Sequence, residues 1–273
     1  MNNVLITGVS SGIGYDAAGA LCRAGYNVFG SVRRKEDASK ISEALGARFT
    51  PLIFDITDAA AVRAETARLA QALAGDGLRA VVNNAGSTIA SPILYLTTDE
   101  LRRQFEVNFF GHWDVTRACL PLLQKHASPR IINVSSAYGR IPLPFMGGYP
   151  ASKHALEAFS DGLRIELRRM GVQVALIEPG QVDTPIWDKA EADISRNELG
   201  AFADLRPWFE AYVRRGQSSL PVEKVSRAII EAVRSPRTKT RYLVTKNRFV
   251  TWSRPHLVPD RLYDWIIAKA MRL

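Results

Sequence analysis

Residues 4–14 read VLITGVSSGIG, a short apolar run that leads directly into a glycine-rich turn, and a helix-like pattern follows from Tyr15 to Ala24. Glycines permit a tight turn and let a pyrophosphate approach backbone N–H groups, while the N-terminus of the next helix favours negative charge. Many glycine-rich loops are merely turns, but one placed between a first strand and a first helix is typical of dinucleotide-binding proteins. The stretch therefore predicts a strand, a phosphate-binding turn and a helix, in that order.

Outward from this stretch, apolar runs alternate with helical patterns. The runs are short, rich in Val and Ile and end in Gly, Asn, Ser or Asp, as buried parallel strands joined by crossover helices do. They read YNVFGSV (26–32), FTPLIFDI (49–56), LRAVVNNAG (78–86), PRIINVSS (129–136) and VQVALIEPG (172–180). The main helical patterns after them cover residues 59–74, 98–126 and 150–170. Six or seven such repeats predict an α/β fold, a single-domain Rossmann-type doubly wound parallel sheet with helices on both faces.

The composition of the 273 residues is that of an ordinary globular protein, with 47% hydrophobic and 23% charged residues. The formal charge of +9 arises in the last quarter: residues 1–203 contain 21 Lys+Arg and 21 Asp+Glu, whereas residues 204–273 contain 15 and 6. These cations are scattered among aromatic residues instead of forming a groove or a recognition helix, so nucleic-acid binding is not expected. The cysteines show no disulfide pattern, the histidines no metal-ligand spacing, and the chain no signal peptide or membrane-length apolar run. We therefore expect a cytoplasmic protein with no metal site.

The second strand ends in the basic sequence SVRRK, residues 31–35. A protein that prefers NAD(H) usually carries an acidic residue here to bind the ribose hydroxyls, but Val32 takes that place. A 2'-phosphate needs cationic donors, and an arginine fork suits it. Arg33, with Ser11 opposite, therefore predicts NADP(H) rather than NAD(H). The alternative is an exposed basic turn with no ligand.

Small or polar residues follow the other strands, at the edge where ligands bind in such a sheet. Asp55 and Ile56 follow the third strand, and the carboxylate of Asp55 is placed to accept a hydrogen bond from adenine. Small residues after the fourth strand would let a cofactor lie against the sheet. The loops after the fourth, fifth and sixth strands contain Asn84-Ala85-Gly86, Ser135-Ser136 and Pro179-Gly180-Gln181-Val182-Asp183-Thr184.

Tyr149 and Lys153 stand four residues apart in YPASK, with Pro150 directly after the tyrosine. Pro150 suits the first turn of a helix, where its missing N–H would have no partner anyway, and Lys153 then shares a helix face with Tyr149. A nearby ammonium group and the helix N-terminus both favour the phenolate, so we expect the pKa of Tyr149 to be lowered. The phenol would then exchange a proton with a carbonyl or alcohol oxygen. The alternative is the start of an amphipathic helix with a solvated lysine.

TGVSSGIG, DI, NNAG, Val107-Asn108, the serine pair ending at Ser136, YPASK and PGQVDTP occur together and in this order between residues 4 and 186. In this combination the sequence resembles the short-chain dehydrogenase/reductase family, in its shorter, roughly 250-residue branch. NVSSAYGR and EAFSDGLRIEL most resemble the part of that branch that includes retinol and hydroxysteroid dehydrogenases.

The resemblance implies a role for each matching residue. Tyr149 would be the general acid/base, Lys153 would lower its pKa and bind the nicotinamide ribose, and Ser136 would hold the substrate oxygen. Asn108 would anchor a water molecule that links Lys153 to solvent, and Gly180, Val182 and Thr184 would hold the carboxamide. The residues expected to bind the cofactor are Gly8, Ser10, Ser11, Gly12, Ile13, Gly14, Arg33, Asp55, Ile56, Asn84, Ala85, Gly86, Tyr149, Lys153, Pro179, Gly180, Val182 and Thr184. The alternatives are structural roles: a plain strand-end hydroxyl for Ser136, a polar contact within a helix for Asn108 and a helix cap for Thr184.

Within one domain of residues 1–273, we expect residues 185–273 to form a substrate lid and a C-terminal extension. Pro185, Ile186, Trp187, Phe202, Trp208, Phe209, Tyr212 and Val213 make the lid apolar, which predicts a hydrophobic substrate. The last segment predicts a helix capped by Asp260, with Leu262, Tyr263, Ile266, Ile267, Ala270 and Met271 on one stripe and Arg261, Asp264 and Arg272 on another. We expect it to pack on the body or on a sister subunit, with peripheral contact to an anionic membrane as the alternative. The resemblance also implies a homodimer or homotetramer formed through the helices at 98–126 and 150–170.

These observations predict an NADP(H)-dependent oxidoreductase that interconverts a hydrophobic alcohol and its ketone or aldehyde by hydride transfer. An epimerase or dehydratase also uses such a fold with a Tyr-x-x-x-Lys pair, but usually with a longer C-terminal domain. A dinucleotide-sensing regulator without turnover is a further alternative, although such proteins tend to lose the Ser, Tyr and Lys residues that this sequence keeps.

Overall fold

The computed structural model describes residues 2–196, 199–217 and 219–271, and a seven-stranded parallel sheet forms its centre. The strands are β1 (Asn3–Ile6), β2 (Asn27–Val32), β3 (Phe49–Ile53), β4 (Ala80–Asn83), β5 (Arg130–Val134), β6 (Gln173–Pro179) and β7 (Arg241–Val244). Their order across the sheet is β3-β2-β1-β4-β5-β6-β7, so the chain winds in one direction from β1 to β3 and in the other from β4 to β7. The predicted doubly wound parallel sheet is confirmed.

Helices cover both faces of the sheet. They are α1 (Gly12–Arg23), α2 (Lys35–Leu45), α3 (Ala59–Ala72), α4 (Thr98–Phe105), α5 (Gly111–Leu123), α6 (Gly148–Glu166), α7 (Ile186–Arg196), α8 (Arg206–Gln217), α9 (Val222–Arg234), α10 (Arg248–Leu257) and α11 (Asp260–Met271). Val4 and Ile6 of β1 enter a core with α1 and α9, whereas Leu5, between them, enters a second core with α3 and α5. This alternation explains why the inner strands read as continuous apolar runs, since β1, β4 and β5 are buried on both faces.

The long helix predicted over residues 98–126 is interrupted. α4 begins with a capping box, in which the hydroxyl of Thr97 accepts from the backbone N–H of Glu100 and the carboxylate of Glu100 accepts from the N–H of Thr97. A π-helical turn over Glu106–Phe110 then separates α4 from α5. Such turns are rare and are found frequently at functional sites, and this one contains Asn108.

The expectation that residues 185–273 form only a lid and an extension needs correction. The helix Val222–Arg234 buries Val225 and Ile229 in the core that also contains β1, and Arg241–Val244 is the seventh strand of the sheet. The lid is limited to α7, α8 and the residues between them that the structure describes. Its apolar side chains form a third cluster with Phe145 and Met146. Of the described residues after β7, α10 and α11 form the C-terminal extension.

Candidate active site

A cleft of about 1380 Å³ runs along the carboxyl ends of β1 to β6, where ligands bind in sheets of this kind. It extends from the glycine-rich turn after β1 to the lid. Every residue expected to bind a cofactor lines this cleft, and so do Ser136, Tyr149 and Lys153. Asn108 is the exception among the predicted site residues, because it is completely buried behind the cleft.

The glycine-rich turn is packed so tightly that its glycines are required. Gly8 has a φ of +70°, and a Cβ there would lie 2.9 Å from the Cα of Ala85. A Cβ on Gly14 would clash with the carbonyl oxygen of Gly8 and with the side-chain amide of Asn84. Ser11 caps α1 by position, yet its hydroxyl makes no capping hydrogen bond in the described structure. Ser11, Gly12 and Ile13 line the cleft, so the N–H groups at this helix end lie beside it without a side-chain cap from Ser11.

Thr7 and Asn84 hold the turn after β1 against the turn after β4. The hydroxyl of Thr7 accepts from the backbone N–H groups of Asn84 and Ala85, at 2.9 and 3.0 Å. The side-chain amide of Asn84 donates to the carbonyl oxygens of Thr7 and Gly8, at 3.0 and 3.1 Å. Asn84 thus orders the floor of the cleft. The sequence-based prediction missed Thr7, although a hydroxyl at the end of the first strand was a usable signal.

The structure separates the two arginines that follow β2. The guanidinium of Arg34 donates two hydrogen bonds to the carboxylate of Asp37, at 2.9 and 2.8 Å. Arg33 lines the cleft and forms no hydrogen bond or salt bridge with another side chain in the described part of the chain. Asp55, also on the cleft wall, accepts on Oδ1 from the N–H and the hydroxyl of Thr57. Arg33 is thus the guanidinium group that is available to an anionic ligand at this end of the cleft.

Ser136, Tyr149 and Lys153 meet at the opposite end of the cleft. Ser136 follows β5, and its hydroxyl accepts from the N–H of Tyr138 at 3.1 Å and is hydrogen-bonded to the phenol of Tyr149. α6 begins at Gly148, so Tyr149 stands in its first turn and Lys153 lies one turn further along the same face. The Nζ atom of Lys153 donates to the carbonyl oxygen of Val134 at 2.8 Å and lies 5.9 Å from the centre of the Tyr149 ring.

The expected lowering of the pKa of Tyr149 is wrong for this structure. Burial raises the pKa of Tyr149 to about 12, the hydrogen bond with Ser136 opposes the rise, and Tyr138 adds to it. The Lys153 ammonium is directed at Val134 instead of the phenol, and its own burial lowers the pKa of Lys153 to about 8, with Glu157 opposing. At neutral pH the phenol therefore carries its proton and the amine its charge.

Asn108 is held by the protein on both ends of its amide. Its Oδ1 accepts from the N–H of Ser87 at 2.9 Å, and its Nδ2 donates to the carbonyl of Ser87 and to the hydroxyl of Ser152, each at 3.0 Å. A Cβ built on Gly86 would lie 3.5 Å from that Oδ1 and 3.9 Å from the Nζ of Lys153. The absence of a side chain at Gly86 thus leaves a gap between the two polar atoms, although most of the hydrogen-bonding capacity of Asn108 is already used.

Thr184 forms the wall of the cleft that faces the glycine-rich turn. A Cβ on Gly12 would approach its methyl group to 3.3 Å. The carbonyl of Val182 accepts from the indole N–H of Trp187 at 2.8 Å, which ties this segment to the lid. The carbonyl of Thr184 also accepts from the N–H of Trp187, at 3.2 Å, so Thr184 contributes to the start of α7 as well.

The comparison with known families assigns the chain to a family. A family model described as short chain dehydrogenase matches residues 2–195. The chain belongs to the short-chain dehydrogenase family. The resemblance predicted from the motifs is confirmed, and the protein is an oxidoreductase by family.

Similar proteins span nearly the whole length of this short-chain dehydrogenase. An NADPH-dependent 3-dehydrocapnine reductase from Ornithobacterium rhinotracheale is 38% identical over 282 residues, which cover 100% of this chain and 98% of that protein. Human retinol dehydrogenase 5 is 32% identical, with 97% of this chain and 89% of that protein covered. The crystal structure of a short-chain dehydrogenase from Streptomyces avermitilis superposes with a TM-score of 0.80 at 27% identity, covering 99% of this chain and 95% of that one.

The sequence-based prediction of this short-chain dehydrogenase missed Tyr138 as a site residue and placed Tyr212 only among the apolar residues of the lid. Tyr138 lines the cleft two residues after Ser136, and its hydroxyl is hydrogen-bonded to that of Tyr212 in α8. Burial raises the pKa of Tyr212 well above its usual value, with Tyr138 and Tyr149 adding to the rise. The pair connects the lid to the loop that carries Ser136. Tyr138 belongs to the motif NVSSAYGR, but its contact with Tyr212 could not be predicted because the two residues are far apart in the sequence.

The residues of the cleft fit a bound dinucleotide. The packed glycines leave room beside backbone N–H groups at one end of α1, Arg33 offers a cation, and the phenol and amine of α6 lie at the far end. In the described ranges, no three His, Cys, Asp or Glu side chains come close enough to hold a metal ion. None of the helices that the structure describes is both long and apolar enough to cross a bilayer.

Proposed function

We propose that this protein is an NADP(H)-dependent oxidoreductase that interconverts a hydrophobic alcohol and its ketone or aldehyde, with Tyr149 as the general acid/base. The observation that carries the proposal is the meeting of Ser136, Tyr149 and Lys153 at one end of a cleft whose other end is the glycine-rich turn. A structural role alone would not bring a phenol, an amine and a hydroxyl together at the edge of the sheet where ligands bind.

The cofactor would lie between these two ends. When bound, its nicotinamide ring supplies or accepts the hydride, which is chemistry that no side chain offers. The N-terminus of α1 and the packed glycines would hold the pyrophosphate, and Arg33 would hold the 2'-phosphate. The preference for NADP(H) is supported by the free guanidinium of Arg33 and by the NADPH-dependent relative from Ornithobacterium rhinotracheale.

The proton would come from Tyr149. A pKa of about 12 keeps the phenol protonated at neutral pH, which is the form that donates a proton to a carbonyl oxygen. Ser136 would hold the same oxygen and stabilise its developing charge, because its hydroxyl already lies within hydrogen-bonding distance of the phenol. Lys153, whose amine is charged below its pKa of about 8, would bind a ribose hydroxyl and favour the phenolate after proton transfer. These states suit reduction of a carbonyl group.

A hydrophobic substrate is supported by the lid. Trp187, Phe209 and Tyr212 pack with Phe145 and Met146 into one apolar cluster over the end of the cleft that contains Tyr149. Retinol dehydrogenase 5, a relative of this chain, acts on an apolar alcohol according to its name.

A substrate panel tests the proposal. Purified protein is incubated with NADPH or NADH and with aldehydes, ketosteroids, retinal or 3-oxoacyl thioesters, and oxidation of the cofactor is followed by absorbance. We expect oxidation of NADPH with at least one hydrophobic carbonyl compound, at a higher kcat/KM than with NADH. NADPH binding without turnover of any carbonyl compound would favour a regulatory protein instead, and equal use of NADH would remove the role of Arg33.

A further inference from the structure

In the described part of the chain, α11 contacts the body of the protein along one edge. Met271 is buried in the lid cluster and Ile267 packs partly against it. The hydroxyl of Tyr263 donates to the carbonyl of Pro142 at 3.0 Å, which holds the middle of the helix to the loop that follows Ser136. The prediction that this helix packs on the body is thus correct for these three residues, while Arg272 lies outside the described residues.

The opposite side of α11 is apolar and cationic. Arg261, Trp265 and Lys269 follow one another at intervals of four residues and are all exposed, so they form one row along the helix. Leu262 and Ile266 form the adjacent row, and Trp265, Leu262 and Ile266 are 59%, 47% and 40% exposed. The ammonium of Lys269 lies 4.9 Å from the centre of the Trp265 ring. We call these five residues the outer face of α11.

The acidic residues of α11 avoid this face. Asp260 and Asp264 are exposed as well, but they stand eleven and seven residues before Met271, so they lie in the row of Met271 and outside the two rows of the outer face. α10 adds exposed apolar side chains, since Phe249 and Leu257 are 72% and 64% exposed. The surrounding sequence is basic, because residues 204–273 contain 15 Lys+Arg and 6 Asp+Glu. Large apolar side chains among cations, with no carboxylate between them, are unusual on a face that meets only water.

We propose that the outer face of α11 docks this protein on an anionic lipid bilayer. Trp265, Leu262 and Ile266 would enter the interfacial region, where an indole ring is favoured, while Arg261 and Lys269 would meet lipid phosphates. Charge complementarity selects this occupant over a second copy of the chain. A two-fold contact would bring the cationic rows of both subunits into one interface, and lysine is depleted from such interfaces. The proposal goes beyond the oxidoreductase activity and does not depend on it.

Docking in this way would bring the lid close to the bilayer. α11 is attached to the lid cluster through Met271 and to the loop after Ser136 through Tyr263. An apolar compound dissolved in the membrane would then have a short path to the cleft. The docking itself is independent of which compound that is.

Vesicle flotation with the full-length protein tests the proposal. The probes are vesicles of phosphatidylcholine alone and vesicles in which phosphatidylglycerol replaces part of it. We expect wild-type protein to float with the anionic vesicles, less so at high salt and not with the neutral ones. Each cation near an anionic surface contributes roughly fivefold in affinity, so Arg261→Gln with Lys269→Gln is expected to lower partitioning about thirtyfold. Trp265→Ser with Leu262→Ser is expected to abolish flotation, since the anchoring apolar area is lost.

Matched controls come from α2, α3 and β3, whose buried apolar residues belong to other core clusters than Met271 of α11. Lys40→Gln with Arg63→Gln removes the same charge from α2 and α3, and Ile53→Ser removes an exposed apolar side chain from β3. These variants are expected to float like wild type. No flotation of the wild type, or an equal loss in the Lys40/Arg63 control, would overturn the proposal. So would sedimentation showing that Trp265→Ser disrupts an oligomer while lipid binding is unchanged.

Discussion

Tyr149 holds its proton more tightly than an exposed tyrosine does, because burial raises its pKa to about 12. The motif YPASK was sufficient to predict that Tyr149 and Lys153 share one face of a helix, since that depends on spacing alone. The direction of the pKa shift was not predictable from the motif. It depends on the burial of Tyr149 in the folded protein, on Tyr138, and on the carbonyl of Val134, to which the amine of Lys153 donates.

Arg33 and Arg34 provide a matched pair for testing the cofactor preference at the level of a residue. Arg33→Ala is expected to raise the KM for NADPH at least about tenfold and to leave the KM for NADH nearly unchanged, because only NADPH carries the 2'-phosphate. Arg34→Ala removes the same charge from a side chain that is bound to Asp37, so both KM values are expected to stay near those of wild type. If both substitutions raised the KM for NADPH equally, the preference for NADPH would depend on the total positive charge of this loop and not on Arg33 itself.

The buried side chain of His112 is expected to make the stability of the folded protein sensitive to acid. Burial lowers its pKa from 6.5 to about 3, the charge of Lys153 adds to the shift, and the contact between Nε2 and the carbonyl of Ala85 opposes it. The unfolded chain therefore binds a proton more readily than the folded one, and stability is lost as pH falls from 6.5 towards 3. Between pH 7 and pH 5, the depressed pKa of His112 is expected to lower the free energy of unfolding by roughly 2 kcal/mol.

Urea unfolding at pH 7 and at pH 5 measures the effect of His112. The His112→Gln variant is expected to lose less stability than wild type over this interval, while His154→Gln, which removes an exposed imidazole, serves as the control. An identical pH dependence in wild type and His112→Gln would contradict the assignment.

At the level of elements, the glycine-rich turn was predictable and the π-helical turn was not. The turn is encoded locally, because Gly8 needs a positive φ and Gly14 needs space beside Gly8. The π-helical turn at Glu106–Phe110 depends instead on distant partners of Asn108, namely Ser87 and Ser152. A helical pattern read from sequence contains no information about such partners, so residues 98–126 were predicted as one helix.

Gly14 and Gly162 test how tightly the turn is packed against its helix. Gly14→Ala places a methyl group against the carbonyl of Gly8 and the amide of Asn84, so we expect a loss of about 1–3 kcal/mol in stability together with weaker dinucleotide binding. Gly162 lies in α6 with nothing within 4 Å of the position of a Cβ. Gly162→Ala is therefore expected to stabilise the protein by roughly 0.5–1 kcal/mol. Thermal unfolding and fluorescence titration with NADPH measure both quantities, and a tolerated Gly14→Ala would contradict the packing argument.

For the whole molecule, the doubly wound parallel sheet was predictable from the alternation of strands and helices, but its edge strand β7 was not. β7 has only four residues and only Tyr242 is buried in it, so its sequence, RYLV, lacks the apolar run that marks the other strands. The structure shows that β7 completes the sheet and that α9 completes the helical layer beside it. The sequence-based prediction had assigned all of residues 185–273 to a lid and an extension. A late return to the sheet after the lid leaves no local signal.

The expected homo-oligomer stays a prediction. Phe110 and Ile165, next to α4–α5 and in α6, are 46% and 73% exposed, which is consistent with contacts through those helices. Sedimentation velocity would give the mass directly, to be compared with 30.2 kDa for one chain.

The most direct test of the proposed chemistry is the rate of hydride transfer in Tyr149→Phe. The substitution removes one oxygen atom, so it leaves the ring, the helix and the dinucleotide end of the cleft in place. With the best carbonyl substrate of the panel, we predict that NADPH oxidation falls by about 10²–10⁴-fold, while the Kd for NADPH, measured by fluorescence titration, changes little. Turnover close to that of wild type would show that some other group donates the proton.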